Sequence, residues 1–499
     1  MTPTVVFQNQ TLAQDQFHAR VRRAVGALRA LGLRDGDVLA LMMRNGPELL
    51  ELMLAARWIG AYWCPINWHF KDDEVRHILA DSGARLFVVD GALWQGLSHA
   101  VPATVPVLLA GPVGQAANAA LSTNCWAQRR DAAAPDTREA AAPRAAMLYT
   151  SGTTGRPKGI RRQAATPQQV AMGLERLTLV IGCEPGMRAL ACAPMYHSAP
   201  NSFAMAVAQF SGTLVIEERF EAETTLRLIE QHRVSHAYLV PTMYVRLLRL
   251  PEETRRRYDL SSLRFVSSTG SPCPPDIKRA MIEWWGPVIH EAYGSSELGY
   301  MTRLDSAQAL RKPGSAGTAL PGVQLRILDA AGTEQPRGCA GLIYVKPDLL
   351  ADFTYNHGEA ARRAMERDGF LTMGDIGYLD DEGFLFIVDR QADMVISGGV
   401  NIYRAEIEAV LQMMPGVADC AVFGIPDAEF GEGLAAVVQP VAGTALDVAG
   451  VQAFLKARVA GYKVPSVVSF HADMPREDTG KIFKRKLREP YWAGVARRI

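Results

Sequence analysis

Cysteine is sparse and unpatterned in this chain. Seven residues (Cys64, Cys125, Cys183, Cys192, Cys273, Cys339 and Cys420) are scattered over 499 positions, with no C-x-x-C pair among them. An odd, dispersed set argues against a disulfide framework or a cysteine metal site. It fits small buried thiols in a reducing compartment, so a cytoplasmic location is expected. Net charge is nearly absent, at +1, which gives no support for a nucleic-acid surface or an acidic tail. Apolar runs of membrane-spanning length are missing: the stretch Val38–Gly60 is broken by Arg44, Asn45, Glu48, Glu51 and Arg57. The first residues lack the charged-then-apolar order of a secretory signal. No internal repeat or low-complexity tract stands out.

What is present is the composition of a folded soluble protein, 48% hydrophobic and 21% charged. The length exceeds what one compact core accommodates, so two or more domains are expected. Between Thr11 and Asp90 helical patterning (Ala13–Leu31, ending at Gly32) alternates with short apolar strands (Asp37–Met43, Arg85–Asp90), the rhythm of a parallel α/β sheet. Residues Gln115–Arg144, rich in alanine and without period, are expected to be a surface connection. Strands are expected again at Thr213–Ile216, Ala237–Val240 and Phe265–Ser268. From Gly322 the pattern changes to short β segments (Gln324–Leu328, Gly341–Lys346, Phe384–Val388), with Asp380-Asp381-Glu382-Gly383 as a strong turn. After Arg390 an amphipathic helix (Arg404–Met413) and a strand (Asp419–Gly424) begin a separate small domain of acceptable size. The expected architecture is α/β: a large N-terminal domain of parallel α/β layers plus a β-rich subdomain (1–389), then a small mobile α+β domain (390–499).

The densest chemical signal is Tyr149-Thr150-Ser151-Gly152-Thr153-Thr154-Gly155-Arg156-Pro157-Lys158-Gly159, preceded by the apolar run Ala145–Tyr149. Gly152 and Gly155 permit backbone turns in which several N–H groups converge on one anion. Thr150, Ser151, Thr153 and Thr154 add hydroxyls, and Lys158 adds a point charge suited to phosphate oxygens. A polar surface turn is the bland alternative. The lysine is followed by Gly159 rather than Ser or Thr, so the magnesium-binding hydroxyl of an ordinary P-loop is missing. The segment therefore points to an enzyme of nucleoside triphosphates with a different phosphate loop.

Further clusters follow. In Tyr293-Gly294-Ser295-Ser296-Glu297 an aromatic face can stack on a purine and a carboxylate can meet magnesium, although such a pentapeptide can also be a plain turn. Asp375, within Met373-Gly374-Asp375, can accept from ribose hydroxyls, and Lys481 follows a Thr-Gly turn that can project it toward an anion.

Taken together, YTSGTTGRPKG, PMYHSAP, YGSSELG, MGD, DRQADMVISGGVNIYRAEIE and PREDTGKIFKRKL, in that order, resemble the adenylate-forming superfamily, in its acyl- and aryl-CoA synthetase branch. The resemblance spans about Thr11 to Leu487. It implies that a carboxylate attacks the α-phosphate of Mg-ATP to give an acyl-adenylate, and that a thiol, usually that of coenzyme A, then displaces AMP. By this resemblance Thr150, Ser151, Gly152, Thr153, Thr154, Gly155 and Lys158 hold the β- and γ-phosphates. Gly270, Ser271, Pro272, Glu291, Ala292, Tyr293, Gly294, Ser295 and Ser296 surround the nucleotide, Tyr293 stacking on adenine. Glu297 is the magnesium-associated carboxylate, Asp375 and Arg390 are ribose contacts, and Lys481 bridges the carboxylate and the α-phosphate. The small domain swings between half-reactions, exchanging Lys481 for a thiol tunnel at Ser397, Gly398 and Gly399. The hinge position, commonly Asp or Lys, is Ala392 here. Leu342, Met373 and Ser296 are milder departures that remove no charged group from this set.

His197 matches the gate of the carboxylate site, with a backbone-bonded core histidine as the alternative. No acidic residue lies between Ala191 and Gln209, against an α-amino acid and for an uncharged acyl tail. Phe203, Met205, Tyr238, Val240 and Ser267–Ser271 are the expected pocket walls. A fatty chain, a substituted benzoate, a phenylpropenoate or a sterol side chain would all suit an apolar pocket. The expected function is an AMP-forming acyl-CoA ligase with ATP, magnesium and coenzyme A. Loading of a carrier-protein thiol and a non-catalytic nucleotide sensor are the rivals. No nucleic-acid partner or integral membrane segment is expected, and a homodimer is one option for the assembly.

Overall fold

The computed structural model describes residues 2–111, 124–150, 157–347, 352–391, 394–397, 400–427, 429–476 and 482–493. The chain forms two compact units: Met1–Pro313 with Gly317–Gln324 and Lys346–Gly369, and Gly314–Ala316 with Leu325–Val345 and Phe370–Ile499.

The first unit is built on parallel sheet. Among the described residues its larger sheet has nine strands. Thr4–Phe7, Thr213–Ile216, Arg188–Ala191, His236–Leu239, Phe265–Ser268 and Ile289–Ser295 run parallel in that spatial order, with antiparallel Gln10–Leu12 and Gly299–Leu304 on the flanks. A second parallel sheet orders Tyr62–Pro65, Val38–Met42, Leu86–Asp90 and Val107–Ala110. The continuous apolar runs of these strands are what burial on both faces requires. Helices Gln14–Ala30, Pro47–Ile59 and Asp72–Ser82 alternate with the strands of the second sheet, as the sequence rhythm indicated.

A third, antiparallel sheet joins Phe353–Tyr355, Lys158–Arg162 and Leu148–Thr150. The apolar run before the glycine-rich loop thus yields a strand of three residues, shorter than Ala145–Tyr149. Lys158 opens a second strand rather than a helix.

The alanine-rich connection is corrected by the structure. It contains the helix Trp126–Ala132, whose Trp126 is fully buried. Trp126 Nε1 donates to Glu51 Oε1 at 3.0 Å, while Arg20 Nε and Arg130 NH1 lie 2.9 and 3.2 Å from Glu51 Oε2. Glu51, which reads in the sequence as an interruption of an apolar stretch, is buried with three donors around it. One tryptophan and one arginine anchor the segment, and neither produces a periodic pattern.

In the second unit Phe370–Leu379 pairs antiparallel with Gly341–Pro347 and with Leu385–Arg390. Beyond these strands, Val417–Asp427 and Gly431–Pro440 form a long hairpin, joined in parallel by Val467–Phe470. Helices Arg404–Gln412 and Val448–Lys456 supply Ile407, Leu411, Val451 and Leu455 to a core shared with Val395, Val422 and Val438. The strand Leu385–Arg390 runs across the 389/390 position.

Candidate active site

In open parallel sheets ligands bind beyond the carboxyl ends of the strands. Four neighbouring strands of the large sheet deliver the sequence-predicted residues there. His197 follows Arg188–Ala191, Val240 follows His236–Leu239, Gly270 follows Phe265–Ser268, and Tyr293, Gly294 and Ser295 end Ile289–Ser295.

The residues on both sides of the glycine-rich segment are held. Thr150 and Lys158 are register partners in an antiparallel hairpin, while Ser151, Gly152, Thr153, Thr154, Gly155 and Arg156 lie outside the described residues. Tyr149 OH donates to Asp81 Oδ2 at 2.6 Å, and His77 Nε2 donates to the Pro157 carbonyl at 2.9 Å. His77 and Asp81 are four apart on the helix Asp72–Ser82, so one helical face grips both strands. Burial, with Asp81 adjoining, pushes the Tyr149 phenol well above its ordinary range, so it remains a donor. Asn356 adds a backbone bond to the Gly159 carbonyl (2.9 Å) and a side-chain bond to Asp81 (3.3 Å).

Glu297 is only 4% exposed. Its Oε1 accepts from Thr150 Oγ1 and from Tyr355 OH, each at 3.1 Å. The Tyr355 ring also lies beneath Lys158, with Nζ 5.6 Å from its centroid. Arg162 donates to the backbone carbonyls of Ser296 (3.0 Å) and Glu297. Burial lowers the Arg162 guanidinium to about 10 against the opposing pull of Glu297, so it stays charged at neutral pH. Ser296 Oγ donates to Ser198 Oγ at 3.1 Å, tying this turn to the residue after His197. Leu298 N–H donates to Ser295 Oγ at 3.0 Å.

Tyr293 opposes Thr302, and the register shifts at Gly294. A Cβ on Gly294 would stand 2.3 Å from the Gly299 carbonyl oxygen, so only glycine fits that bulge. Glu291 is paired with Lys278 at 2.6 Å, both side chains largely buried. Burial raises the Glu291 carboxyl and Lys278 opposes it. Its carboxylate is thus engaged by protein. Ala292 is buried, Ser271 half-buried, and Gly270 and Pro272 are exposed.

His197 precedes the helix Ser198–Gln209 in extended backbone, its ring 4.4 Å from that of Tyr196. Tyr196 packs edge-on against Trp68 at 4.7 Å. The segment is fixed by two buried amides: Met195 N–H donates to Asn45 Oδ1, and its carbonyl accepts from Asn201 Nδ2, both at 2.9 Å. The expected pocket walls Phe203, Met205, Tyr238, Val240 and Ser267 are all buried, with the Phe203 and Tyr238 rings 6.0 Å apart.

In the second unit Asp375 and Arg390 are register partners, and Arg390 Nε donates to Asp375 Oδ1 at 2.7 Å. Next to them a buried pair joins Asp389 and Arg404. Ser397 ends a short strand paired with Val400 and Gly431. Lys481, Gly398, Gly399 and Ala392 lie outside the described residues.

Sequence reasoning missed Tyr355, Arg162, His77, Asp81 and the Asn45–Asn201 pair. Arg161-Arg162 in a strand directly after the loop was an available signal. The others are joined to the site only by long-range contacts.

The AMP-binding enzyme family matches residues 2–352, and the AMP-binding enzyme C-terminal domain matches residues 406–481. The chain is 34% identical to a feruloyl-CoA synthase of an Amycolatopsis species, over 96% of this chain and 94% of that protein. It is also 34% identical to the long-chain-fatty-acid–CoA ligase FadD13 of Mycobacterium tuberculosis, over 96% and 93%. ATP-bound MatB from Rhodopseudomonas palustris superposes with a TM-score of 0.86 at 31% identity, covering 98% of this chain and 96% of that one. With the Thr150–Lys158 hairpin and the Glu297 turn built on that shared fold, the chain belongs to the AMP-binding, adenylate-forming enzyme family.

Proposed function

We propose that the chain is an AMP-forming acyl-CoA ligase that activates a hydrophobic carboxylic acid with Mg-ATP and transfers the acyl group to coenzyme A. The observation that carries this reading is the convergence of Thr150, Lys158, Tyr355 and Glu297 within one unit. It brings a phosphate-seeking cation and a buried carboxylate to the same hairpin.

Glu297 suits magnesium: one carboxylate oxygen is held by two hydroxyls, and no described group bonds the other. Among the described residues no cluster of three or more metal-ligating side chains exists. Magnesium is commonly held by one or two carboxylates together with substrate phosphate oxygens, a role that a single carboxylate can fill. When bound, magnesium would neutralise phosphate charge as the acid approaches. Lys158 and the loop hydroxyls hold the leaving pyrophosphate, and Tyr293 carries adenine. Asp375, oriented by Arg390, accepts from the ribose. Burying two anions together is opposed by their repulsion, so fixed donors and cations do most of the work. Lys481 approaches the α-phosphate in the first half-reaction. The Ser397-Gly398-Gly399 segment serves the thiol in the second, residues 390–499 moving as a unit about Ala392.

The acyl tail is uncharged in this reading, because Ala191–Gln209 offers no acidic partner and the walls are apolar and aromatic. The two relatives of equal identity are named for an aromatic and a fatty acid, and the proposed substrate class covers both. We place the enzyme in the cytoplasm and leave a homodimer as the assembly to test by sedimentation. Acid-dependent isotope exchange between pyrophosphate and ATP, without coenzyme A, tests the chemistry. Exchange that no hydrophobic acid stimulates would remove this reading.

A further inference from the structure

We propose that Tyr355 is the positioning residue that couples the magnesium carboxylate to the phosphate lysine. The proposal rests on the reading of Glu297 and Lys158 given above. Tyr355 ends the strand Phe353–Tyr355, whose partner Lys158–Arg162 begins at the loop's lysine, with Tyr355 opposite Ile160. The residue is 6% exposed. Its hydroxyl donates to Glu297 Oε1 at 3.1 Å and its ring lies 5.6 Å from Lys158 Nζ. Asn356, the next residue, bonds the Gly159 carbonyl and Asp81, which fixes this strand against the base of the loop. Phe353 meets the Tyr355 ring edge-on at 5.6 Å, which restricts its rotation.

The two contacts do different things. Thr150 and Tyr355 both donate to Oε1, so the carboxylate cannot rotate without losing two hydrogen bonds, and Oε2 is held in one direction. The ring face attracts the Lys158 ammonium and limits where it points. One side chain therefore sets the direction of a metal ligand and the position of a cation.

Substitution separates the two arms. Tyr355→Phe removes the hydroxyl and keeps the ring. Its magnesium half-saturation should rise about tenfold, the size of one hydrogen bond to a charged group. Calorimetry should show metal-free ATP binding unchanged and the gain from magnesium reduced. Tyr355→Leu removes the ring as well and should also weaken metal-free ATP binding. In a Glu297→Gln background Tyr355→Phe should change the magnesium requirement less than about twofold, because the two act through one bond. Thr150→Val, which removes the other donor to Oε1, should shift magnesium dependence in the same sense even if a Tyr355 variant folds poorly. A normal magnesium dependence in Tyr355→Phe, with Glu297→Gln altered, would overturn the role of Tyr355 alone. Unaltered dependence in Glu297→Gln would overturn the metal reading beneath it.

Discussion

Asp375 and Arg390 face each other across two antiparallel strands, the carboxylate 4% exposed and its arginine partner about half exposed, joined by a 2.7 Å hydrogen bond. The arginine thereby orients the carboxylate. Arg390→Ala should raise the KM for ATP about tenfold with a smaller effect on kcat, and should cost about 1 kcal/mol of stability. Steady-state kinetics with ATP varied, beside urea unfolding, checks both. An unchanged KM would separate this pair from nucleotide binding.

Gly294 sits where added bulk meets backbone. The Cβ of Gly294→Ala would lie 2.3 Å from the Gly299 carbonyl oxygen, so the bulge must open. Destabilisation of about 1–3 kcal/mol is expected. ATP affinity should fall with it, because Tyr293 shares the distortion. Denaturant unfolding and ATP calorimetry would show both losses, and a variant with native stability would contradict the packing described.

His290 stacks on Phe265 at 3.7 Å, and burial depresses its imidazole to about 4. A histidine whose folded value is lowered contributes stability that is complete above its unfolded value of about 6.5. That contribution is lost as pH falls through the window down to about 4. The wild type should lose about 1–2 kcal/mol more than His290→Phe over that window, a figure reduced for partial solvent screening. Parallel unfolding curves at successive pH values decide it; identical pH dependence in the two proteins would refute the assignment.

Lys481 is assigned to the first half-reaction only. Lys481→Ala should abolish acyl-adenylate formation while leaving thioester formation from supplied acyl-adenylate largely intact. Equal loss of both half-reactions would contradict an alternation of Lys481 with the Ser397-Gly398-Gly399 segment.

Local chemistry was readable and long-range pairing was not. The loop Tyr149–Gly159 and the Tyr293–Glu297 cluster stand out because glycines, hydroxyls and a charge are adjacent in the sequence. The strand Thr213–Ile216 coincides with its apolar run, since burial on both faces leaves a continuous signal. By contrast, Glu51 gains its meaning from Arg20, Arg130 and Trp126, and Glu297 from Thr150 and Tyr355. Those partners lie tens to more than a hundred residues away, where no spacing rule operates. Glu291 stands in the sequence beside the other residues of its cluster, and its pairing with Lys278 becomes visible only in the fold. The helix Trp126–Ala132 escaped notice because a single tryptophan, rather than a periodic face, holds it.

In the proposed reaction the Glu297–Lys158 site transfers AMP to a hydrophobic carboxylate before a thiol accepts the acyl group. It is tested most directly by incubating the enzyme with Mg-ATP, coenzyme A and a panel of fatty, aromatic and cyclic acids, and quantifying the nucleotide and thioester products. AMP and acyl-CoA are expected in equal amounts, with at least one hydrophobic acid and with none of the α-amino acids. Formation of ADP in place of AMP, or AMP release that no acid stimulates, would contradict it.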